Sequence, residues 1–167
     1  MNFLQITHCD QVNGLGNRVV LWVAGCSHHC KGCQNAYSQN PLIGIKFTDS
    51  AKEEIFKDLN TEWCAGITFS GGDPLFIDNR NEIIALAKEI KEKFPTKTIW
   101  LYTGYTWSEI IADESMSEIL KYTDILCDGE YIEELRDVDL HWVGSKNQNV
   151  IDVKKRIKQV SNIMSNN

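Results

Sequence analysis

Three cysteines fall within eight residues, Cys26-Ser27-His28-His29-Cys30-Lys31-Gly32-Cys33, and nothing else in the 167-residue chain restricts its chemistry as much. Cys9, Cys64 and Cys127 stand alone. A secreted disulfide framework spreads its cysteines through a short, loop-rich chain. Here long apolar periods separate them and the N-terminus lacks a charged-then-apolar signal segment, so the expected location is the cytoplasm. In that reducing compartment a tight thiol cluster points to metal or redox chemistry rather than to stapling. The three isolated thiols are expected to be buried or half-buried side chains without a special role.

The spacing Cys-x3-Cys-x2-Cys supplies three thiolates from one loop. A four-iron cubane is normally held by four cysteines, so three would leave one iron open to an outside ligand and make the cluster a reaction site. The competing reading is a structural zinc with His28 or His29 as fourth ligand. Structural zinc usually joins two chain segments through paired ligands, and no second pair is present. Spacing favours iron–sulfur and leaves zinc open.

The rest of the chain reads as one α/β domain. The apolar run Val19–Val23 predicts a strand buried on both faces, Gly66–Ser70 a second, Thr98–Tyr102 a third and Asp124–Cys127 a short fourth. Helices are expected from a capping box at Ser50–Glu53, from the spacing of Ile83, Ala87, Ile90 and Phe94, more weakly over Glu109–Lys121, and from Val153, Ile157, Val160 and Met164. Strands separated by helices need crossover connections, so the sheet should be mostly parallel. The cysteine cluster, Gly71-Gly72-Asp73-Pro74, Thr103-Gly104-Tyr105 and Asp128-Gly129 then all follow carboxyl ends of parallel strands, the edge where such sheets place their sites. Residues 1–150 are expected to form the domain, with 151–167 a helical tail packed on it or extending from it.

Gly71 and Gly72 remove two successive side chains, which lets a ligand approach the backbone; taken alone, a tight turn is the better explanation, and the neighbouring cysteine loop makes a cofactor seat plausible. Asn13-Gly14-Leu15-Gly16 precedes its strand, so it reads as a turn and not as a dinucleotide loop. Trp22 and Trp100 lie within strands and read as core. The net charge of −6 and the lack of basic residues interleaved with aromatics argue against nucleic acid as partner. No apolar run approaches a membrane span. Lys154, Lys155, Arg156 and Lys158 form a short basic run that reads as a solvated face, with a docking patch as the alternative.

These residues together resemble the radical S-adenosylmethionine superfamily and, within it, the anaerobic ribonucleoside-triphosphate reductase-activating proteins. The resemblance runs from Met1 to about Gln148. It is carried by Val12-Asn13-Gly14, Gly25-Cys26, His28, Cys30, Gly32-Cys33 and Asn35, then by Ser70–Leu75, Trp100–Tyr105, Asp128-Gly129, Trp142, Gly144-Ser145 and Asn147-Gln148. It implies a shortened, open version of the superfamily's parallel α/β barrel, with the cluster loop at the carboxyl edge of the strands. Cys26, Cys30 and Cys33 would ligate a [4Fe-4S] cluster whose fourth iron binds S-adenosyl-L-methionine. Gly32, Cys33 and Gln34 would line that cosubstrate, with Gly71, Gly72 and Asp73 completing its seat and Gly72 receiving its amino group.

The implied activity is reductive cleavage of S-adenosylmethionine to a 5′-deoxyadenosyl radical, which takes hydrogen from a glycine of the reductase's large catalytic subunit. Reduced flavodoxin is the implied electron donor. The resemblance is not complete: Gln34 stands where the family usually has tyrosine, Leu15 where proline is common and Val143 where arginine is common. Competing expectations are a pyruvate formate-lyase activase-like enzyme or small-molecule synthase with the same chemistry, and a zinc-stabilised interaction module with none.

Overall fold

A computed structural model of the protein describes the backbone of residues 1–165 and the side chains through residue 162. In chain order it contains β1 (Asn2–Asp10), β2 (Arg18–Val23), β3 (Ile45–Lys46), α1 (Asp49–Leu59), β4 (Gly66–Gly71), α2 (Arg80–Lys93) and β5 (Thr98–Tyr102). There follow α3 (Trp107–Ala112), α4 (Glu114–Ser117), β6 (Ile125–Asp128), β7 (Asn149–Asp152) and α5 (Val153–Ser165). The α/β class is as expected. Met164, part of the last helical pattern, and residues 166–167 of the tail lie outside the described side chains and backbone respectively.

The strands form one open sheet in the order β3-β1-β2-β4-β5-β6-β7. Its centre, β2-β4-β5-β6, is parallel, and the helical connections between those strands dictate this. The flanks are antiparallel, so the sheet is mixed and not mostly parallel. Two connections explain the departure. Residues 11–17 are too short a link from β1 to β2 for a crossover, and residues 129–148 return to β7 without a crossing helix. β1, β3 and β7 lack the unbroken β-branched runs that reveal the central strands.

Alternation along the central strands divides the sheet into two faces. Val19, Leu21, Val23, Ile67, Phe69, Ile99, Leu101 and Leu126 pack with Ile55, Leu59, Ile83, Ile90 and Ile110 of the helices into the hydrophobic core. The opposite face carries Arg18, Val20, Trp22, Thr68, Ser70, Trp100 and Tyr102; β2 is buried on both faces as expected, apart from half-buried Trp22. Arg18 is fully buried there. Its five N–H groups reach Thr68 Oγ1, the Leu15 carbonyl, Thr98 Oγ1 and the carbonyls of Ile67 and Thr98, at 2.7–3.0 Å. Gly14 lies against it: a Cβ there would stand 2.9 Å from Arg18 Cδ and from the Trp100 ring.

Two helix starts differ from expectation. α1 begins at Asp49 after Thr48, and no side-chain bond caps it, so the Ser50–Glu53 box is not used. The capping box of this chain is Thr106–Glu109, which starts α3. The weak helix expected over Glu109–Lys121 is broken into α3, α4 and a 3-10 turn because the Asp113 side chain caps a new start by accepting from Ser115 N–H. Cys64 and Cys127 are buried as expected, whereas Cys9 is exposed, at φ +54° where the β1–β2 register shifts. Among the described residues no helix is long and apolar enough to cross a membrane.

Candidate active site

The four loops singled out by the sequence do meet at one edge. The cysteine loop leaves β2 through Gly25, whose φ of +100° would strain any other residue. Its backbone is pinned at entry by Gly25 N–H to the Ser38 carbonyl (2.7 Å) and Cys26 N–H to the Gln39 carbonyl (3.1 Å). The double glycine leaves β4 beside it. Gly72 N–H donates to the Val23 carbonyl (2.8 Å) and Asp73 N–H to the Gly25 carbonyl (2.7 Å). A Cβ on Gly72 would stand 2.4 Å from the Gly25 oxygen and 2.8 Å from that of Ser38, and one on Gly71 2.6 Å from the Val23 oxygen. The missing side chain of Gly72 thus makes room for the cysteine loop's own backbone, and that of Gly71 for the backbone of β2.

Asp73 is 1% exposed and its carboxylate faces protein. It accepts from Leu75 N–H (2.8 Å), from the Thr103 hydroxyl (2.9 and 3.0 Å) and from Gly104 N–H (3.0 Å). Asp73 Oδ2 also lies 2.9 Å from His28 Nε2, off the line of a hydrogen bond, while His28 Nδ1 sits 2.9 Å from Glu130 Oε1. The ring packs edge-on against Tyr105 at 4.6 Å, and Gly104 leaves the room it occupies. The Asp73 carboxylate, joined by Glu130, holds His28 up at about 9 despite its burial. One imidazole therefore links the loops after β2, β4, β5 and β6.

The loop after β6 completes the edge. Glu133 and Glu134 approach Lys31 at 3.0 and 3.4 Å, and a Cβ on Gly32 would touch the Glu133 carboxylate at 2.9 Å. Gln148 holds this loop in shape, its amide oxygen accepting from Gly144 and Ser145 N–H and its amide nitrogen donating to the Gly129 carbonyl. Asn79, buried, ties the Ala24 and Asp73 carbonyls together from below.

Cys26, Cys30 and Cys33 are all half-buried. Burial pushes the Cys26 thiol up to about 11 and raises Cys30. The nearby backbone N–H groups of His28 and His29 at Cys26, and of Tyr131 at Cys30, partly offset that rise. N–H donors to sulfur suit thiolates bound to a cluster. Among the described residues no three His, Cys, Asp or Glu side chains converge on a single-ion site. A cubane asks something different, since each thiolate binds its own corner iron. His28, with both ring nitrogens against carboxylates, is not free to ligate. The donor set fits an iron–sulfur cluster.

Beside the cysteines are two cavities, of about 370 and 510 Å³, sharing Trp22, Gln34 and Asn35. The first is lined also by Cys33, Ser70, Tyr102, Tyr131, Trp142 and Val143, the second by Tyr37, Ser38, Gly44 and Gly71. Their size suits a cofactor-sized molecule. Of the expected cosubstrate residues, Cys33, Gln34 and Gly71 reach these cavities, Gly72 lies under the cysteine loop, Gly32 faces Glu133, and the Asp73 carboxylate is turned inward. Trp22 was expected in the core. Instead it is half-buried, donates to Thr7 Oγ1 (2.8 Å) and lines both cavities. Its register opposite Ser70, a polar residue within a buried strand, was the available signal.

Residues 12–151 match the family model described as "4Fe-4S single cluster domain". The chain is 44% identical over 148 residues to the anaerobic ribonucleoside-triphosphate reductase-activating protein of Enterobacteria phage T4, covering 89% of this chain and 92% of that one. It is 40% identical over 150 residues to the protein of that name from Vibrio cholerae, and 38% to the one from Escherichia coli K12; each match covers 89% of this chain and 96% of the relative.

Proposed function

The chain belongs to the anaerobic ribonucleoside-triphosphate reductase-activating proteins, and from that premise we propose that it is a radical-S-adenosylmethionine activase, an oxidoreductase that installs a glycyl radical on the large subunit of that reductase. The observation that carries this reading is the half-buried three-thiol loop at the carboxyl edge of four parallel strands, with cavities opening at Cys33 and Gln34. The four parallel strands, carrying their loops on one edge, support a shortened and open form of the superfamily's barrel.

Cys26, Cys30 and Cys33 would hold the [4Fe-4S] cluster, with Cys33 and Gln34 lining the S-adenosylmethionine seat. When bound, the cluster would supply the one electron that splits the sulfonium into methionine and a 5′-deoxyadenosyl radical. This chain's residues do the rest. Asp73 and His28 fix the loops that define the seat, and Gly72 permits their close contact. Trp22, Tyr102 and Trp142 supply apolar walls that keep water from the radical. Because the sheet is open, a protein segment can reach the cavities directly. The electron donor is reduced flavodoxin, and the enzyme works in the cytoplasm.

The test is anaerobic incubation of reconstituted protein with S-adenosylmethionine, a reductant and purified reductase subunit. An organic radical signal carried by the reductase, absent with Cys30→Ala, is expected. Cleavage of S-adenosylmethionine with no radical in the reductase would contradict this reading.

A further inference from the structure

Two cavities adjoin the cysteine loop, and the cosubstrate of the function proposed above accounts for one of them. Cys33 lines the first, with Tyr102 and Trp142, so S-adenosylmethionine bound at the cluster falls there. The second, about 510 Å³, is lined by none of the three cysteines. Trp22, Gln34 and Asn35 line both, so the two spaces are neighbours.

The second cavity has a distinct chemistry. No charged side chain lines it, in a chain of which 24% is charged. Its polar side chains are Gln5, Gln34, Asn35, Tyr37 and Ser38. The side-chain amides of Gln5, Gln34 and Asn35 form no hydrogen bond with another described residue. Each offers one acceptor oxygen and two N–H donors, the same groups that a peptide main chain presents. A neutral space with three free amides therefore suits a main-chain segment better than a charged ligand. A glycine has nothing but its main chain to be held by.

The surroundings favour a segment that arrives from outside. Tyr37, Leu42 and Ile45 fall within nine residues of chain and are 73%, 85% and 63% exposed; Tyr37 and Gly44 of this stretch line the cavity. Large apolar side chains grouped in this way mark interaction surfaces. On the same flank, β3 pairs with β1 only at Asn2 and Phe3. From Leu4 onward no strand among the described residues covers the outer edge of β1, and Leu4 and Gln5 line the cavity. An open strand edge can take up an extended segment through main-chain hydrogen bonds.

We propose that the second cavity is the subsite for the glycine-bearing segment of the reductase large subunit, which enters past Tyr37, Leu42 and Ile45 along the open edge of β1; this deepens the function proposed above and rests on it. Contact distance selects the occupant. Hydrogen passes from the glycine Cα to C5′ of the adenosyl radical, breaking one C–H bond and forming another. The two carbons must come within about 3–3.5 Å, so the segment has to occupy a space next to the cosubstrate seat. An electron donor has no use for such a space, because an electron reaches the cluster without the donor's atoms touching the cosubstrate.

The experiment uses anaerobic holoenzyme with dithionite as reductant, which removes any effect of donor docking. Gln5→Trp fills the second cavity, Leu42→Glu/Ile45→Glu charges its approach, and Lys57→Trp on the exposed surface of α1 is the control. Gln5→Trp should lower the glycyl radical formed in purified reductase per S-adenosylmethionine cleaved by about tenfold or more. Leu42→Glu/Ile45→Glu should raise the reductase concentration needed for half-maximal activation by a similar factor, with cleavage in the absence of reductase and melting temperature unchanged. The control should behave as wild type. A normal radical yield per cleavage in Gln5→Trp would overturn the proposal, and so would weakened S-adenosylmethionine binding with that ratio intact, since the cavity would then belong to the cosubstrate. Should Gln5→Trp fail to fold, normal activation by Leu42→Glu/Ile45→Glu would overturn it alone. If wild type cleaves S-adenosylmethionine and leaves no radical in the reductase, the proposed function fails, and this inference with it.

Discussion

The Asp73 carboxylate accepts from Leu75, Thr103 and Gly104 and stands against His28, so each of its partners belongs to a loop of the active edge. Truncation to alanine would strand one buried and one half-buried N–H donor and leave the imidazole facing Glu130 alone. Each orphaned donor costs about 1–3 kcal/mol. Asp73→Ala should therefore lose roughly 3 kcal/mol in urea unfolding and bind S-adenosylmethionine weakly, whereas Cys9→Ala, at an exposed bulge, should change neither. A stable Asp73→Ala protein with normal cosubstrate affinity would show that the carboxylate positions nothing. In the sequence, Asp73 reads as a cofactor contact because it adjoins the double glycine. Its burial depends on Thr103, thirty residues away, which no local pattern reveals.

At the scale of elements, the active edge depends on close backbone contact between the loops after β2 and β4. Gly72 is needed for space and Gly129 for conformation, and the two should respond differently. Gly72→Ala brings a methyl to 2.4 Å from a carbonyl oxygen, so the cysteine loop must move. Gly129, at φ +94°, has its nearest neighbours at 3.8 Å, and alanine there costs only backbone strain, about 1 kcal/mol. Iron and sulfide analysis after anaerobic reconstitution should find the cluster lost in Gly72→Ala and kept in Gly129→Ala; retention in both would contradict this account of the loop contact. The central strands were legible because Val19–Val23, Gly66–Ser70 and Thr98–Tyr102 are short apolar runs ended by turn residues. β1 was not, since Gln5, Thr7 and His8 interrupt its apolar side chains and its partner β2 supplies the register. β7, paired with β6, is four residues long with polar ends, too short and mixed to read as a strand.

Across the whole molecule, the antiparallel flank is fastened to the helical layer by His8, whose ring meets Asp58 at 2.5 Å and Glu54 at 3.0 Å. The Asp58 bond, with Glu54, raises the His8 pKa. A group raised on folding stabilises fully below its unfolded value, about 6.5, and stops contributing as pH rises through its folded value. Wild type should thus be more stable relative to His8→Gln at pH 6 than well above neutrality. The difference should be under about 1 kcal/mol because the site is half exposed. Equal stability differences at both ends would remove this link. Arg18 acts at the opposite face as a buried joint between β2, β4 and β5, a role its place between Asn17 and the apolar run Val19–Val23 does not reveal. Burial lowers it to about 10, and the guanidinium stays charged at neutral pH.

The central claim is that three thiols hold a cluster with one iron open to the cosubstrate at this edge. Low-temperature electron paramagnetic resonance of anaerobically reconstituted, reduced protein, recorded with and without S-adenosylmethionine, tests it most directly. The expected result is a reduced-cluster signal that changes on addition of the cosubstrate. A cluster signal indifferent to S-adenosylmethionine, or zinc in place of iron, would contradict it.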